Sequence, residues 1–376
     1  MLTANPFHFG SFTDDRPYRE ADTLSKAGYE VHVICTRPRG APKEENLHGI
    51  YIHRVAIPYT RGVGYVTLVP LLLAMRSVNL GGIVHVRNCP DTLSLGKLWR
   101  PLILDINDPW SLDAQMRGVA GAKLAIVRGL EKLALSLADY LLCVSHAEKE
   151  RLLREGMPDC KVSVIYNCPA LTEFEQPNSI ADVRKSFGIR SSSRIILFEG
   201  RLGKDRGLDV LLRAFTYIHH EVPDTKLLIV GDGPERGTLE QLAHDLSIAS
   251  DVVFTGWRSL SELPSFIRGS NVCVIPSKST PKTEITPHNK LFDYMALGKP
   301  IVASRLGEIS RVVQDGTSAI LVRPGDDLEL SKALLAVLQD ENLSRNLGLS
   351  AYELFRGKFN WDEQSKILLS VYSRFA

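Results

Sequence analysis

From residue 18 onward the chain alternates two patterns: short apolar runs, and longer stretches whose apolar positions recur three or four residues apart. "YREADTLSKAG" (18–28) has the helical spacing and stops at Gly28, a favoured residue just past a helix end. "YEVHVICT" (29–36) follows as a strand, and "IYIHRVAI" (50–57) alternates as a strand does. "GIVHVRN" (82–88) and "LILDIND" (102–108) are apolar runs that end in polar residues. A helix is expected over about 121–139, then a strand at 140–145, a helix at 146–156 and a strand at 161–167. Only "MLTA" precedes Asn5, so either the strand due before the first helix is very short or the chain starts inside it.

Around 168–193 the alternation stops, and "CPALTEFEQPNS", with two prolines and no period, reads as a linker. It then restarts. Strands are expected at 194–200, 226–233, 251–256, 271–277, 300–304 and 318–326. Helices are expected at 207–221, 235–246, 260–270, from Pro287, and at 327–340. The closing "YELFRGKFNWDEQSKILLSVYSRF" has helical spacing and more aromatics than a free tail needs, so it should pack on something. Strands alternating with helices argue α/β units with parallel sheets, and the interruption argues two doubly wound domains. The expected division is 1–172, 173–355 and a closing helix at 356–376 that packs back on the first domain.

A length of 376 residues agrees with two cores rather than one. Forty-five basic against 43 acidic residues leave a net charge of +2, too balanced to argue for a nucleic-acid partner. The six cysteines form no CxxC pair and have no histidines at metal spacing, which suggests buried reduced thiols in a cytoplasmic protein. No signal peptide is visible, and the longest apolar run, "VTLVPLLLAM" (66–75), is too short to span a bilayer and contains Pro70. "GKLWR" and "RGVAGAKLAIVRGLEKL" are basic and amphipathic. They leave open a peripheral contact at the inner membrane face, against the plainer reading of a solvated helix.

The candidate chemistry lies where parallel strands end, because such sheets bind ligands outside their carboxyl ends. In the first half the residues so placed are Arg87, Asn88, Asp91, Asp105, Asn107 and Asp108, with turn and capping roles as the alternative. In the second half "EGRLGKDRG" (199–207) sets Arg201, Lys204 and Arg206 between Gly200 and Gly207, just before a helix. A cation-rich turn at a helix N-terminus suits an anion such as a phosphate, and glycine lets the backbone come close. "LLIVGDGPE" (227–235) is a weaker signal of the same kind. Neither a G-x-G-x-x-G fingerprint nor a P-loop is present. The loop "SKSTPKTEITPHN" offers hydroxyls and backbone donors ahead of a helix carrying Lys290 and Asp293. A diphosphate would fit there, with Asp293 accepting from a ribose diol and Lys290 balancing charge.

With these motifs in order, the second half resembles the family 4 glycosyltransferases of GT-B architecture. The matching elements are "GRLGKDRGLDVLLRAF", "LLIVGDGPE", "VVFTGW", "PHNKLFDYMALGKPIVAS" and "FNW…VYSRF", over about 194–376. "DDRPYREADTLSKAGYEVHVIC", "LADYLLCVSHAEKERLL" and "VSVIYNCP" match more loosely. The resemblance implies two Rossmann-like domains facing a cleft, with the last helix crossing back to the first domain. It implies a retaining, metal-independent transfer of sugar from a UDP- or GDP-linked donor, with no cofactor, to a saccharide or lipid-linked acceptor. Cell-surface polysaccharide or glycoconjugate synthesis is the expected setting. Arg201 and Arg206 would hold the diphosphate beside Gly200, and Asp293 the ribose. Trp257 and Arg258 would contact the base, and Asn289, Lys290 and Leu291 would complete the donor motif. Asn107 stands where many members carry a cleft histidine, and Asp108 beside it is a further catalytic candidate with Arg201 and Arg206. Many members also carry two glutamates eight residues apart; here the second is Asp293, and Ile285, beside Glu284, occupies the first position. The competing readings are a non-catalytic scaffold of the same fold and a sugar-nucleotide epimerase.

Overall fold

The computed structural model describes residues 1–3, 16–37, 39–55, 82–88, 101–174 and 180–375. The segments "VTLVPLLLAM" and "GKLWR", most of the first strand-to-helix loop, Cys89 and Asp91 lie outside them. The chain forms two compact units: Met1–Tyr166 with Gln364–Ala376, and Asn167–Glu363. The sequence pattern put these divisions after 172 and 355.

Unit 1 runs β1 (Leu2–Thr3), α1 (Arg16–Lys26), β2 (Val31–Thr36), β3 (Glu44–Leu47), β4 (Ile50–Val55), β5 (Val84–Arg87) and β6 (Leu102–Ile106). It continues with α2 (Trp110–Met116), α3 (Gly121–Leu137), β7 (Tyr140–Cys143), α4 (His146–Arg154) and β8 (Val162–Val164). The sheet order is β3-β4-β2-β1-β5-β6-β7-β8. Only the β3–β4 pairing is antiparallel. As expected, the first strand is short, yet its two residues sit in the middle of the sheet, paired with β2 and β5. Strands β5, β6 and β7 are buried along their whole length, as strands covered on both faces require.

Unit 2 opens with α5 (Ile180–Ser186), β9 (Arg194–Glu199), α6 (Leu208–Glu221), β10 (Thr225–Val230), α7 (Arg236–Asp245), β11 (Val252–Gly256) and α8 (Leu263–Gly269). Then come β12 (Val272–Ile275), α9 (Asn289–Ala296), β13 (Ile301–Ser304), α10 (Ile309–Val312), β14 (Ile320–Val322), α11 (Asp327–Gln339) and α12 (Glu341–Gly357). Its parallel sheet has the order β11-β10-β9-β12-β13-β14. The chain builds outward from β9 in one direction, returns beside it at β12, and builds outward in the other. That reversal places a ligand crevice above the ends of β9 and β12. In one core cluster of this unit, Phe198, Leu227, Ile229 and Val274 from the sheet pack with Phe215 of α6 and Leu334 of α11. Fully burying each such side chain is worth about 1.5–3 kcal/mol.

Three expectations change. Within 168–193, where the alternation stops, α5 lies just beyond the string read as a linker, anchored by Phe187 against Phe266 at 6.0 Å and by Arg184 donating to the Gly269 carbonyl at 3.3 Å. The closing stretch, read as one helix, is two: α12 ends at Gly357, and α13 (Trp361–Tyr372) begins after Asn360. Asn360 makes both ends, since its Nδ2 donates to the carbonyls of Phe355 and Arg356, both at 2.9 Å, while its Oδ1 accepts from Glu363 N. Cys160 is exposed rather than buried, whereas Cys35, Cys143, Cys168 and Cys273 are interior.

From Gln364 onward α13 belongs to unit 1. Gln364 accepts from the backbone N of Tyr166 at 2.9 Å. Tyr372 meets the Tyr29 ring edge-on at 5.5 Å, and its hydroxyl bonds His85 Nδ1 at 2.9 Å.

Candidate active site

The loops after β9, β10 and β11 lie against one another with almost no space between backbones. A Cβ on Gly231 would fall 2.0 Å from the Gly200 carbonyl oxygen, and one on Gly233 would fall 2.4 Å from that of Leu202. Hydrogen bonds register the same stack: Gly200 N to Val230 O at 2.8 Å, Leu202 N to Asp232 O at 2.9 Å, and Gly231 N to Gly256 O at 3.0 Å. The β9 loop also touches the β12 loop. Gly207, at φ +67°, enters α6 where a Cβ would lie 1.9 Å from the Pro276 carbonyl oxygen. Gly207→Ala is therefore expected to lower stability by about 1–3 kcal/mol through overpacking, and to weaken ligand binding at the same loop. Urea denaturation with and without nucleotide would measure both effects, and an unchanged midpoint in both would contradict this packing.

Above this stack sits the N-terminal turn of α9. Lys290 is 7% exposed, and its Nζ donates to the Glu199 carbonyl and lies 4.0 Å from the centre of the Phe198 ring. Tyr294, one turn on, accepts from Glu199 N at 3.1 Å. Burial pushes the Lys290 amine down to about 8, with Glu199 opposing that shift and Arg206 adding to it. Burial raises the Glu199 carboxyl against the pull of Lys290 and Arg206. Arg206 also holds down the ring of His288, after burial itself. Arg206 and Lys290 thus act on one small volume beside the end of β9.

Asp293 is half-buried on the next turn of α9 and is felt by Lys290. Leu291 is buried, so it shapes the helix from behind, while Asn289 is exposed. Arg201 is exposed after Gly200, which has φ +126°. Arg258 is turned toward its own unit. Its guanidinium donates to the Thr255 carbonyl at 2.9 Å and lies 5.3 Å and 5.8 Å from the rings of Phe187 and Phe266. The neighbouring Trp257 is 51% exposed, which leaves the indole as the aromatic surface of that loop.

The hydroxyls read as anion donors are largely used within their own loop. Thr283 Oγ1 donates to Lys278 O at 2.6 Å, Ser279 Oγ donates to Glu284 Oε1 at 2.5 Å, and Thr286 donates to Lys282 O. Glu284 Oε2 in turn accepts from Gly307 N at 2.7 Å. Two buried groups overlooked in the sequence remain without a hydrogen-bond partner: Ser277 Oγ, after β12, and both ring nitrogens of His288, at the start of α9. Helix α9 carries no side-chain cap and no acid in its first turn, so no side-chain charge opposes its N-terminal dipole. The "PHNK" string is the sequence signal for His288.

In unit 1, Arg87 pairs with Asp105 in register at the ends of β5 and β6. Asn88 follows at φ +73°, and its backbone N donates to Asp105 O at 2.8 Å. Asn107 and Asp108 are half-buried just beyond β6. The Asp105 side chain is interior. Arg16 donates to Asp105 Oδ1 at 2.7 Å, to Glu20 Oε1 at 2.8 Å and to the Ile165 carbonyl at 2.6 Å. Among the described residues, Glu20, His85 and Asp105 form the one group with a metal-type donor set, with their atoms within 4.8 Å of one another. Arg16 bonds both carboxylates and Arg87 also acts on Glu20, so a divalent ion there would add positive charge where two cations already stand.

The comparisons agree with this layout. The family model for "Glycosyltransferase Family 4" matches residues 18–170, and that for "Glycosyl transferases group 1" matches residues 193–340. An uncharacterised glycosyltransferase of Methanocaldococcus jannaschii is 27% identical over 94% of this chain and 91% of its own length. N-acetyl-alpha-D-glucosaminyl L-malate synthase of Bacillus anthracis is 28% identical over 89% and 87%. Among solved structures, sucrose-phosphate synthase from Thermosynechococcus elongatus superposes with a TM-score of 0.80 at 23% identity, over 95% of this chain and 91% of that one. HepE of Anabaena, solved with UDP, superposes with a TM-score of 0.77 at 16% identity, over 99% of both chains. With one family model on each half and the shared two-sheet architecture, the chain belongs to the family 4 glycosyltransferases and has the GT-B fold.

Proposed function

We propose that the chain moves a sugar from a nucleotide diphosphate donor to a saccharide or lipid-linked acceptor, with retention at the anomeric carbon and without a metal ion. The observation that carries this is the meeting of Arg206, Lys290 and the open N-terminus of α9 at the switch point after β9 and β12. A diphosphate leaving group develops negative charge as the bond from the anomeric carbon to its oxygen breaks. Cations and backbone N–H groups fixed beside it stabilise that charge. The acceptor oxygen forms the new bond, and its proton passes to the departing phosphate, so no separate base is required. Asp293 binds the ribose and Trp257 the base. Arg201, Arg258, Asn289 and Leu291 support the donor. Asn107 and Asp108 serve the acceptor side. Because a neighbour of the same fold was solved with UDP-glucose, UDP is the first nucleotide to test. Polysaccharide or glycoconjugate synthesis at the cytoplasmic face is the setting this reading favours.

Thermal unfolding with UDP, GDP, ADP and dTDP tests the donor site. A nucleotide at 100 times its Kd adds about 2.7 kcal/mol. In units of this size that corresponds to roughly 5–10 °C. One nucleotide is expected to raise the midpoint of the wild type and to do so much less in Asp293→Ala. No shift with any of the four would overturn the assignment of the site.

A further inference from the structure

Two buried side chains at the crevice end of unit 2 carry polar atoms that the fold itself does not use. Ser277 follows β12 and is 0% exposed, and its Oγ has no hydrogen-bond partner. His288 stands at the N-cap of α9 and is 4% exposed, and neither ring nitrogen is bonded. The ring does not cap its own helix. Both residues border Arg206. The Ser277 backbone N lies 3.5 Å from where a Cβ on the adjacent Gly207 would stand, and the charge of Arg206 acts on the His288 ring. The Thr286 backbone acts on that ring too, but outside hydrogen-bond geometry. Among the described residues of unit 2, the other unpartnered buried atoms are of a different kind. His219 and Arg258 pair through their other nitrogens, and Thr225 sits at the opposite end of the sheet, where β10 begins.

Burial, then Arg206 and Lys290, hold the imidazole of His288 well below its ordinary value, so the ring is neutral. A neutral imidazole has one N–H to give and one lone pair to accept with, and a serine hydroxyl has one hydrogen to give. Arg206 and Lys290 can only give N–H groups, so they cannot take either hydrogen. What both groups lack is an acceptor. Beside two cations and the N-terminus of an eight-residue helix, the acceptor most favoured is an anion. We propose that Ser277 Oγ–H and the His288 ring N–H donate to the diphosphate of the nucleotide sugar, and that both stay unsatisfied until it binds. The inference rests on the glycosyl-transfer reading and adds two uncharged groups to the cations already placed at that site. It also gives the unliganded protein a built-in cost: two desolvated polar groups whose partner arrives with the substrate.

A purely structural role and a ligand role predict opposite effects on the unliganded protein. The test uses the whole protein as wild type, Ser277→Ala, His288→Leu, His288→Gln and His288→Asn. Urea unfolding without ligand is measured beside calorimetric titration with UDP, GDP, ADP and dTDP. Ser277→Ala and His288→Leu should each weaken binding of the preferred nucleotide about 10–100-fold, the effect of one hydrogen bond to a charged group. Their unliganded midpoints should be unchanged or higher, because each change removes a buried group that had no partner. The amide of His288→Gln or His288→Asn, whichever sets an N–H where the ring held one, should restore part of the affinity. A clear fall in both unliganded midpoints would mean that these groups are already partnered inside the fold, by water or backbone, and would overturn the proposal. Wild-type affinity in both Ser277→Ala and His288→Leu would overturn it while leaving the donor site standing. Failure of the wild type to bind any of the four nucleotides would remove the glycosyl-transfer reading and this inference together.

Discussion

Replacing Arg206 with alanine is expected to lower kcat/KM for sugar transfer by about 10²–10³-fold, a loss of about 2.7–4 kcal/mol of transition-state stabilisation. Arg206 stands at the end of the short turn before Gly207, half-buried, 3.5 Å from Asp205, and its charge reaches Glu199, His288 and Lys290. The diphosphate carries most of its new charge only as the bond to the sugar breaks, so removing this cation should lower kcat more than it raises KM. The fold should survive, because Arg206 is not part of the core. The measurement is steady-state kinetics with the donor found in the nucleotide screen, beside the thermal midpoint of the unliganded protein. A variant that folds normally and turns over like the wild type would remove Arg206 from the reaction. Arg201, exposed on the same loop, would then be the cation to examine.

Arg16→Met is expected to destabilise the protein by about 3–5 kcal/mol. Arg16 is 1% exposed, and one guanidinium joins Glu20 and Asp105, both 0% exposed, to the Ile165 carbonyl. Removing it leaves two interior carboxylates side by side with their principal partner gone. Near neutral pH, protonation can relieve part of that cost, since burial already pushes the Glu20 carboxyl up to about 7. A second variant separates loss of the ion pairs from loss of packing. Arg16→Met/Glu20→Leu/Asp105→Leu replaces the whole cluster with apolar side chains and should recover most of the stability. Denaturant unfolding of the wild type and both variants reads this directly. A cost below about 1 kcal/mol for the single change would mean the cluster is hydrated or rearranged.

Much of the architecture is visible in the pattern of the chain because parallel strands buried on both faces must be nearly continuous apolar runs. "RIILFE" and "LLIV" could form little else, and the helices between them show their buried stripes plainly. What the pattern hid has local causes. The β3 strand, "EENL", is an exposed or half-exposed edge, so it has no apolar side to alternate. Helix α5 was masked by the prolines before it, and the break between α12 and α13 depends on the two-ended capping by Asn360 rather than on hydrophobic period. In the candidate site, residue types at strand ends could be read, but their partners could not. Asp105 reads in the sequence as a strand-end ligand residue, but Arg16, 89 residues away in the chain, holds it. The hydroxyls of the loop before α9 read as phosphate donors, but Thr280 and Thr283 accept from one another's backbone N and Thr283 Oγ1 donates to the Lys278 carbonyl.

The split of unit 1 along the chain bears on how the protein is born. Met1–Tyr166 emerges from the ribosome first, but the segment that completes it, from Gln364 on, emerges only after all of Asn167–Glu363. Until then Tyr29, His85 and Tyr140 lack the aromatic partners they meet in the finished chain, Tyr372 and Phe375. Unit 2 is continuous and holds every strand of its own sheet, so it can close while still tethered. The order of completion is therefore the reverse of the order of synthesis: the unit begun first waits, with part of its aromatic surface open, until its own closing segment from Gln364 has followed unit 2 out.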